Sequence, residues 1–412
     1  MLTIQLPIVA IGAAGRASAM AGPLDGIRVL DLTQMISGPM ATMILGDQGA
    51  DVIKVEPPGI GDLTRAMGGR KRGMSPTFAI ANRNKRSVVI NLKEPRGVEL
   101  IKRMAAGADV FVQNFRPGAA ERMGVGYEAM REIRPELIYV SISGFGEKGP
   151  YIHKRTYDPV IQALSGLMSI QADETGRPRM IRVIVPDKVT ALTAAQAITA
   201  AIVARLRTGK GQHVRLAMLD AVVAFFWPES MPAYTFVGAE GTAVRPPDTR
   251  DLVFQTTDGY ITAAANSDSE WAGLARTLGH PEWIEDPRFK HPADRIRNAD
   301  VRLDLTAEII RTKSSAEWLS AFDAAEVPCA PIQTRAELLT DPQVAANGLI
   351  VESDHPHAGR MRQPRPAARF EATPADLRRF APALGEDTDA VLEEAGVSAA
   401  ERATLRQSGV IA

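Results

Sequence analysis

Asp187 is the residue of this sequence whose type and position best suit covalent chemistry. It lies in residues 184–190 (IVPDKVT), just ahead of a long Ala-rich segment that is predicted to be a helix. An aspartate in this position is commonly an N-cap, because its carboxylate accepts hydrogen bonds from the first turn. The same N–H groups favour the anion, are expected to hold its pKa down, and can stabilise an oxyanion. Spacing alone therefore leaves two hypotheses open, a helix cap and a nucleophilic carboxylate.

The remaining candidates for chemistry are one cysteine and one pair of histidines. Cys329 lies in residues 327–331 (VPCAP) and is predicted to be a small buried residue, since reactivity needs an accessible, electropositive setting. His355 and His357 flank a proline, but no cysteine or carboxylate at a suitable spacing completes a metal site. We therefore expect neither a cysteine nucleophile nor a metal.

The segments that must position Asp187 alternate between strands and helices. The candidate strands are short apolar runs at residues 26–32, 50–55, 86–92, 109–115, 137–142 and 213–216. The candidate helices lie at residues 39–45, 94–106, 127–133, 190–206 and 219–227, the last stopped by Pro228. Continuous apolar strands separated by helices predict a parallel sheet that is covered on both faces, an α/β Rossmann-like architecture.

Nucleotide-binding motifs are missing from this sheet. No G-x-G-x-x-G follows the first strand, and residues 208–211 (TGKG) lack the spacing of a phosphate-binding P-loop. The sequence therefore offers no support for NAD, FAD or ATP.

Length and composition suggest more than one folding unit. We divide the 412 residues into an N-terminal extension (1–22), a large Rossmann-like domain (23–230) and a linker (231–250). A small α+β domain (251–345) and a segment returning to the large domain (346–412) complete the chain. In the small domain, residues 251–264 predict a hairpin that turns at Asp258 and Gly259, followed by helices near 270–278, 300–310 and 316–325.

The charge balance narrows the possible partners. Lys and Arg total 48, as do Asp and Glu, so the net charge is zero and a nucleic-acid partner is not expected. No apolar run is expected to reach membrane-spanning length, and a single cysteine favours the cytoplasm. Residues 1–20 have an apolar middle but no preceding positive charge, so an extension ahead of Met20 is preferred over a signal peptide.

A series of motifs in consistent order resembles family III CoA-transferases, the CaiB/BaiF family. The matching segments are residues 23–32 (PLDGIRVLDL), 37–39 (SGP), 45–56 (LGDQGADVIKVE), 84–87 (NKRS), 113–118 (QNFRPG), 143–146 (SGFG), 158–168 (DPVIQALSGLM), 207–212 (RTGKGQ), 286–289 (DPRF) and 381–386 (APALGE). One such motif would be weak evidence, whereas this many in order is specific, and together they span nearly everything after Pro23.

The resemblance implies that Asp187 is the catalytic aspartate and that coenzyme A is the ligand. Its carboxylate would attack an acyl-CoA, pass through a mixed anhydride, and form an aspartyl-CoA thioester from which CoA reaches a carboxylic acid. The family's CoA contacts fall on Ile90, Leu92, Lys93, Asn114, Phe115, Arg122 and Met123. Strand ends in such a sheet open onto a ligand crevice, and Lys93 and Arg122 offer charge to phosphates. The resemblance also implies an interlocked homodimer.

Three positions depart from the family pattern. Ile36 stands where oxalate-handling members carry a glutamine, and residues 262–266 (TAAAN) replace their glycine-rich loop. We therefore do not expect oxalate or formyl-CoA as substrates. Pro57 stands where some members direct an arginine toward CoA, so that contact is lost.

Two alternatives remain open. A racemase of the same fold moves a proton beside the thioester carbonyl with a histidine and an aspartate, but Tyr157 occupies the histidine position. Tyrosine, with an ordinary pKa of about 10, is a poor base at neutral pH, which leaves His153 as a substitute base. The second alternative is a non-catalytic acyl-CoA binder, which would keep Lys93 and Arg122 without needing Asp187.

Overall fold

The structure of the protein is a computed structural model that describes residues 22–173, 175–238 and 251–412. Residues 1–21 of the predicted extension and residues 239–250 of the predicted linker lie outside the described residues. The described residues form two compact units. The first comprises the described residues up to Leu167 together with Met180–Phe225 and Pro342–Ala412, and the second those of Met168–Arg179 and Phe226–Asp341. The predicted domain boundaries stay predictions.

A six-stranded parallel sheet forms the centre of the first unit. Its strands are β1 (Arg28–Asp31), β2 (Asp51–Glu56), β3 (Lys85–Val89), β4 (Val110–Gln113), β5 (Ile138–Ser143) and β6 (Gln212–Ala217). They pair in the order β3-β2-β1-β4-β5-β6, and every pair is parallel. This is the strand order of the Rossmann fold, so the predicted parallel sheet is confirmed.

Helices cover both faces of this sheet. The helices from Ser37 to Ser230 are α1 (Ser37–Asp47), α2 (Pro76–Ala81), α3 (Pro95–Ala106), α4 (Ala119–Arg122), α5 (Tyr127–Ile133), α6 (Asp158–Leu164), α7 (Leu167–Ile170), α8 (Val185–Thr208) and α9 (Met218–Ser230), and the last residues of α7 and α9 belong to the second unit. An apolar cluster that contains Ala41 and Leu45 of α1 and Ala191 and Ile198 of α8 covers one face. Packing on both faces explains why the strands read as continuous apolar runs.

The last helices of the chain pack on the opposite face. These helices are α16 (Thr388–Glu394) and α17 (Ala399–Gln407). They are preceded in the chain by α15 (Pro342–Ala346) and by the antiparallel hairpin of β10 (Ile350–His355) and β11 (Gly359–Pro364). Leu392 and Leu405 join Ile101 of α3 and Phe111 of β4 in one buried apolar cluster. The C-terminal segment thus completes the layer that covers this face of the sheet.

Helix α8 begins five residues earlier than the sequence pattern indicates. The N-cap is Ile184, and Pro186 occupies the first turn, where its missing N–H costs no hydrogen bond. Asp187 is therefore the third residue of the helix, and the prediction that it is an N-cap is wrong. At 24 residues, α8 is also long and apolar enough to cross a membrane, contrary to our expectation for this sequence. Its buried residues pack against the sheet, as in the core helix of a globular domain.

Helix α9 also departs from the prediction, because it continues through Pro228 and ends at Ser230. The proline lies in the last turn. There it removes a single backbone hydrogen bond of a helix that is already ending.

The second unit contains a small antiparallel sheet and a cluster of helices. Strands β7 (Phe254–Gln255), β8 (Tyr260–Ala263) and β9 (Cys329–Pro331) pair in that order, so the predicted hairpin is confirmed. The helices are α10 (Pro232–Thr235), α11 (Asp268–Thr277), α12 (Pro292–Arg297), α13 (Ala299–Ile310) and α14 (Ser315–Ala324). Cys329 is half-buried rather than fully buried, and burial raises the pKa of its thiol to about 11, so it is protonated at neutral pH.

Candidate active site

The carboxyl group of Asp187 lies at the start of two helices. It belongs to the first turn of α8, and the backbone N–H of Ser37, the first residue of α1, is close enough to lower its pKa. The first turn of a helix carries unsatisfied N–H groups and the positive end of the helix dipole. Negative charge that develops at this point is therefore stabilised from two directions.

A second carboxyl group, that of Asp158, faces Asp187. Asp158 is the first residue of α6 and is 4% exposed. Its Oδ1 accepts a hydrogen bond of 2.6 Å from Gln162 Nε2. Gln162 is itself held at both ends of its amide by the backbone of Ile181, at 3.1 and 3.0 Å. Asp158 had no role predicted from the sequence, although its place directly after Tyr157 in the family motif was an available signal.

Both carboxyl groups have raised pKa values, and burial is the largest cause in each case. Burial and the negative charge of Asp158 raise the pKa of Asp187 to about 6, while the Ser37 N–H acts in the opposite direction. Burial also raises the pKa of Asp158, against the lowering effects of Gln162 and of the Asp187 backbone N–H. The expectation that helix N–H groups hold the pKa of Asp187 down is therefore wrong. Desolvation and a like charge outweigh them.

The loop between β1 and α1 presents Ser37 to Asp187, and it is anchored along its length. Asp31 Oδ1 accepts from the N–H and the hydroxyl of Thr33 at 2.9 and 2.5 Å. Gln34 and Asn114 exchange two hydrogen bonds, with Gln34 N–H donating at 2.9 Å and Asn114 Nδ2 donating at 2.8 Å. Asn114, a predicted CoA contact, thus uses both ends of its amide to hold this loop.

Below the loop lies a buried network of charges that the sequence analysis did not identify. Lys54 Nζ donates to Asp62 Oδ2 at 2.8 Å and to the carbonyl of Thr33 at 2.9 Å, and both charged side chains are fully buried. Lys85 Nζ donates to Asp31 Oδ2 at 2.9 Å in an equally buried pair. The sequence did carry a signal for this network, because each of two apolar strands contains a lysine. Charged residues in such strands are buried only when they are paired.

These buried pairs keep their charges. Burial opposes ionisation of Asp31, yet Lys85 and Lys54 lower its pKa to about 2. Burial lowers the pKa of Lys85 to about 8. Removing one partner would leave an uncompensated charge in the core, so the network is a rigid support for the loop rather than a source of large net stability.

The predicted CoA-binding residues lie at the carboxyl ends of β3 and β4. After β3, Ile90 is buried and forms a bridge to Ile411, Leu92 is half-buried, and Lys93 is exposed. After β4, Phe115 and Arg122 line a cavity of about 600 Å³. All seven contacts, including Asn114 and Met123, stay predictions.

The 600 Å³ cavity has a polar floor that sequence reasoning missed. His213 Nε2 lies 2.8 Å from Ser141 Oγ, and its ring stacks on Tyr127 with 4.5 Å between ring centroids. Burial and Arg215 lower the pKa of His213 to about 4, so the ring is neutral. A neutral imidazole between aromatic rings suits a flat, uncharged group of a ligand rather than a phosphate.

The residues that bear on the racemase alternative are both exposed. Tyr157 is 63% exposed and is the N-cap residue of α6. His153 lines the 600 Å³ cavity, and no hydrogen bond joins it to Asp187 within the described residues.

The histidine pair at the end of β10 has a structural explanation. His355 Nδ1 accepts from the N–H groups of His357 and Ala358 at 3.1 and 3.2 Å, while Nε2 lies 3.2 Å from the carbonyl of Ala381. Both ring nitrogens of His355 are therefore occupied. Across the part of the chain that the structure describes, no group of three His, Cys, Asp or Glu side chains is arranged to hold a metal.

Comparison with known proteins agrees with this geometry. The model of CoA-transferase family III matches residues 24–388. Human succinyl-CoA:glutarate CoA-transferase is 38% identical over 380 residues, covering 90% of this chain and 86% of that protein. Formyl-CoA:oxalate CoA-transferase of Escherichia coli is 34% identical over 427 residues, covering 95% and 100%. The crystal structure of a CaiB/BaiF family protein from Brucella suis superposes with a TM-score of 0.77 at 32% identity, covering 91% and 100%. The chain belongs to CoA-transferase family III and is a CoA-transferase.

Proposed function

We propose that this enzyme moves CoA from an acyl-CoA donor to a carboxylic acid through covalent intermediates on Asp187. The observation that carries the proposal is the position of the Asp187 carboxyl, at the first turns of α8 and α1 and within hydrogen-bonding reach of Ser37 N–H. Asp187 combines partial burial, helix N–H groups and a neighbouring carboxylate.

The reaction needs neither water nor a cofactor other than CoA. The Asp187 carboxylate attacks the thioester carbonyl, the C–S bond breaks, and a mixed anhydride and CoA thiolate result. The thiolate then attacks the Asp187 carbonyl, which releases the donor acid and leaves an aspartyl-CoA thioester. The acceptor carboxylate then attacks this thioester, which releases CoA thiolate and forms a second mixed anhydride between Asp187 and the acceptor. The thiolate attacks the acceptor carbonyl of this anhydride. Acceptor-CoA leaves, and Asp187 is regenerated.

Each attack produces a tetrahedral oxyanion, and the site offers groups that stabilise it. The backbone N–H of Ser37 and the first-turn N–H groups of α8 are fixed donors whose orientation needs no rearrangement during the reaction. The negative charge of Asp158 has a separate effect. By raising the pKa of Asp187, it makes the ionised Asp187 more basic and hence a better nucleophile.

We propose dicarboxylic acids such as succinate and glutarate as the acids exchanged. Relatives named for succinyl-CoA and glutarate from human and Agrobacterium fabrum are 38% and 35% identical to this chain. Ile36, an apolar residue one position before Ser37, supports a substrate other than oxalate.

We also propose that the enzyme is a cytoplasmic homodimer. Within the first unit, α8 and α9 expose large apolar side chains, with Leu192 57%, Leu206 74% and Phe225 58% exposed. Large apolar side chains exposed on two helices are a reason to expect an interface between chains. Sedimentation velocity at micromolar concentration should give a dimer, and a monomer would contradict this part of the proposal.

Trapping of the intermediate tests the mechanism. The protein is incubated with succinyl-CoA and hydroxylamine, and its peptides are mapped by mass spectrometry. A hydroxamate on Asp187 is expected, with none in Asp187→Asn and an unchanged yield in Asp220→Asn, a matched change of an exposed carboxylate on α9. An unmodified Asp187 together with loss of deuterium from the α-carbon of a labelled acyl-CoA would instead support the racemase. Tight CoA binding without either reaction would support the binder.

A further inference from the structure

We propose that a second cavity, of about 450 Å³, is an anion-binding subsite that holds a phosphate or carboxylate group of the substrates. This inference rests on the proposed function. The cavity is lined by residues that follow β2, by a hairpin with a two-residue turn, and by the turn between β10 and β11. Its polar lining residues are Arg65, Arg70, Arg72, Ser75 and His357.

The charges in this cavity are unbalanced. Arg65 is already paired, because its Nη2 and Nε lie 2.6 and 2.7 Å from the carboxylate of Glu56, and its guanidinium stacks 3.6 Å from the centre of Phe78. Arg70 and Arg72 have no ion pair or side-chain hydrogen bond with any residue that the structure describes. No Asp or Glu side chain lines the cavity. Two guanidinium groups thus border one concave space without a counter-charge.

The backbone that presents Arg72 is unfavourable for an arginine. Lys71 and Met74 exchange backbone hydrogen bonds of 3.1 Å, and the two residues between them have φ angles of 49° at Arg72 and 85° at Gly73. A turn with two such residues favours asparagine or glycine at its first position. A non-glycine residue in this conformation often marks a functional site, because only the surrounding structure maintains it.

Neighbouring segments hold this hairpin against the opposite wall. Lys71 Nζ donates to the carbonyl of Arg360 in β11 at 3.2 Å, and Ser75 Oγ donates to the carbonyl of Met67 at 2.7 Å. His357 forms the facing wall; its Nε2 is 4.0 Å from Glu386, which does not line the cavity. The arginine side chains therefore extend from an anchored turn.

The sheet order relates the cavity to the predicted CoA site. Gly59 and Ile60 follow the carboxyl end of β2, and β2 and β1 lie between β3 and β4 in the sheet. The predicted CoA contacts follow β3 and β4, so the cavity opens at the same edge of the sheet and between them. A guanidinium can bind a phosphate or a carboxylate through two parallel hydrogen bonds. The anion is therefore a phosphate of CoA or the distal carboxylate of a dicarboxylic acid.

Binding and kinetic measurements separate these two sources. Isothermal titration measures the Kd of CoA and of 3′-dephospho-CoA, and steady-state exchange measures KM for glutarate and for a monocarboxylic acid. Arg70→Gln and Arg72→Gln are expected to weaken one of these interactions about tenfold, the size expected for a lost hydrogen bond to a charged group. Arg72→Lys should recover part of the loss. Arg311→Gln, which removes an exposed arginine of the second unit, should change nothing.

Each outcome decides the assignment. A higher Kd for CoA identifies a phosphate as the anion. It is the 3′-phosphate if the Kd of 3′-dephospho-CoA is unchanged, and the pyrophosphate if the Kd values of both ligands rise. A higher KM for glutarate alone identifies the distal carboxylate. Unchanged values throughout would overturn the subsite. Arg72→Asn, which suits the left-handed turn, removes the charge without disturbing the fold and should match Arg72→Gln. CoA affinity does not depend on Asp187 as a nucleophile, so failure here is distinct from failure of the mechanism.

Discussion

Asp158 and Asp187 form a carboxyl pair in which the charge of Asp158 raises the pKa of Asp187, while the Asp187 backbone N–H lowers that of Asp158. Two carboxyl groups placed close together in a partly desolvated site do not ionise independently. The pair therefore sets the pH range in which Asp187 is ionised, which is the form that the proposed mechanism requires.

The wild-type enzyme should lose activity in acid. Only the ionised carboxylate of Asp187 can attack a thioester, and its pKa is about 6. We expect kcat/KM to be constant above that value and to fall about tenfold per pH unit below it. The profile is measured from pH 4.5 to 8 with succinyl-CoA and glutarate. A profile that is flat down to pH 4.5 would contradict the raised pKa.

Asp158→Asn should shift the acidic limb of the kcat/KM profile, the part below the pKa of Asp187, to lower pH. The substitution removes a negative charge but keeps a group that can pair with Gln162, so Asp187 should ionise more readily. We also expect a lower maximal rate, because a less basic carboxylate is a weaker nucleophile. Asp220→Asn serves as the matched control and should leave both the limb and the maximum unchanged. An unmoved limb in Asp158→Asn would mean that desolvation alone raises the pKa.

Asp187→Asn should stabilise the folded protein at neutral pH. The pKa of Asp187 is about 6 in the folded protein, compared with an ordinary value of 3.8. The protonated side chain therefore stabilises the folded protein at low pH, and this contribution is lost as the pH rises from about 4 through 6. At pH 7 the ionised side chain therefore destabilises the fold, and its removal should add about 1–3 kcal/mol. Thermal unfolding is compared at pH 7 and pH 4, where the gain should shrink. A variant that is less stable than wild type at pH 7 would refute the assigned shift.

Lys54→Met should be costly to both stability and rate. It leaves Asp62 buried without its partner and removes the donor that holds the Thr33 carbonyl. Loss of one member of a buried pair typically costs about 3–5 kcal/mol. A denaturant titration measures this loss. The double variant Lys54→Met, Asp62→Asn should regain part of it, because no unpaired charge remains.

The kinetic signature distinguishes positioning from general damage. If the network positions Ser37 N–H toward Asp187, the double variant should fold yet show a reduced kcat with little change in the Kd of CoA. A double variant with full kcat would show that the network supports the fold alone.

Local sequence patterns were sufficient for the sheet and for the choice of Asp187. Apolar runs and the helices between them predicted a parallel sheet, because burial on both faces imposes a pattern that each strand shows by itself. Family motifs indicated a CoA-transferase and singled out Asp187. Local rules failed at the start of α8, where Pro186 extends the helix, and at Pro228, which α9 includes. In both places a proline near a helix end was tolerated.

The chemistry of the site, in contrast, was decided by tertiary structure. Helix spacing suggested a lowered pKa for Asp187, whereas desolvation and Asp158 raise it. The Ser37 N–H, the Asn114 amide and the buried lysines reach this region from segments far apart in the chain. A residue's sequence neighbours determine its secondary structure, but its pKa depends on burial and on charges brought near by folding. The sequence by itself determined the sheet and the family and singled out Asp187 as the proposed nucleophile, and only the tertiary structure decided the environment of that residue.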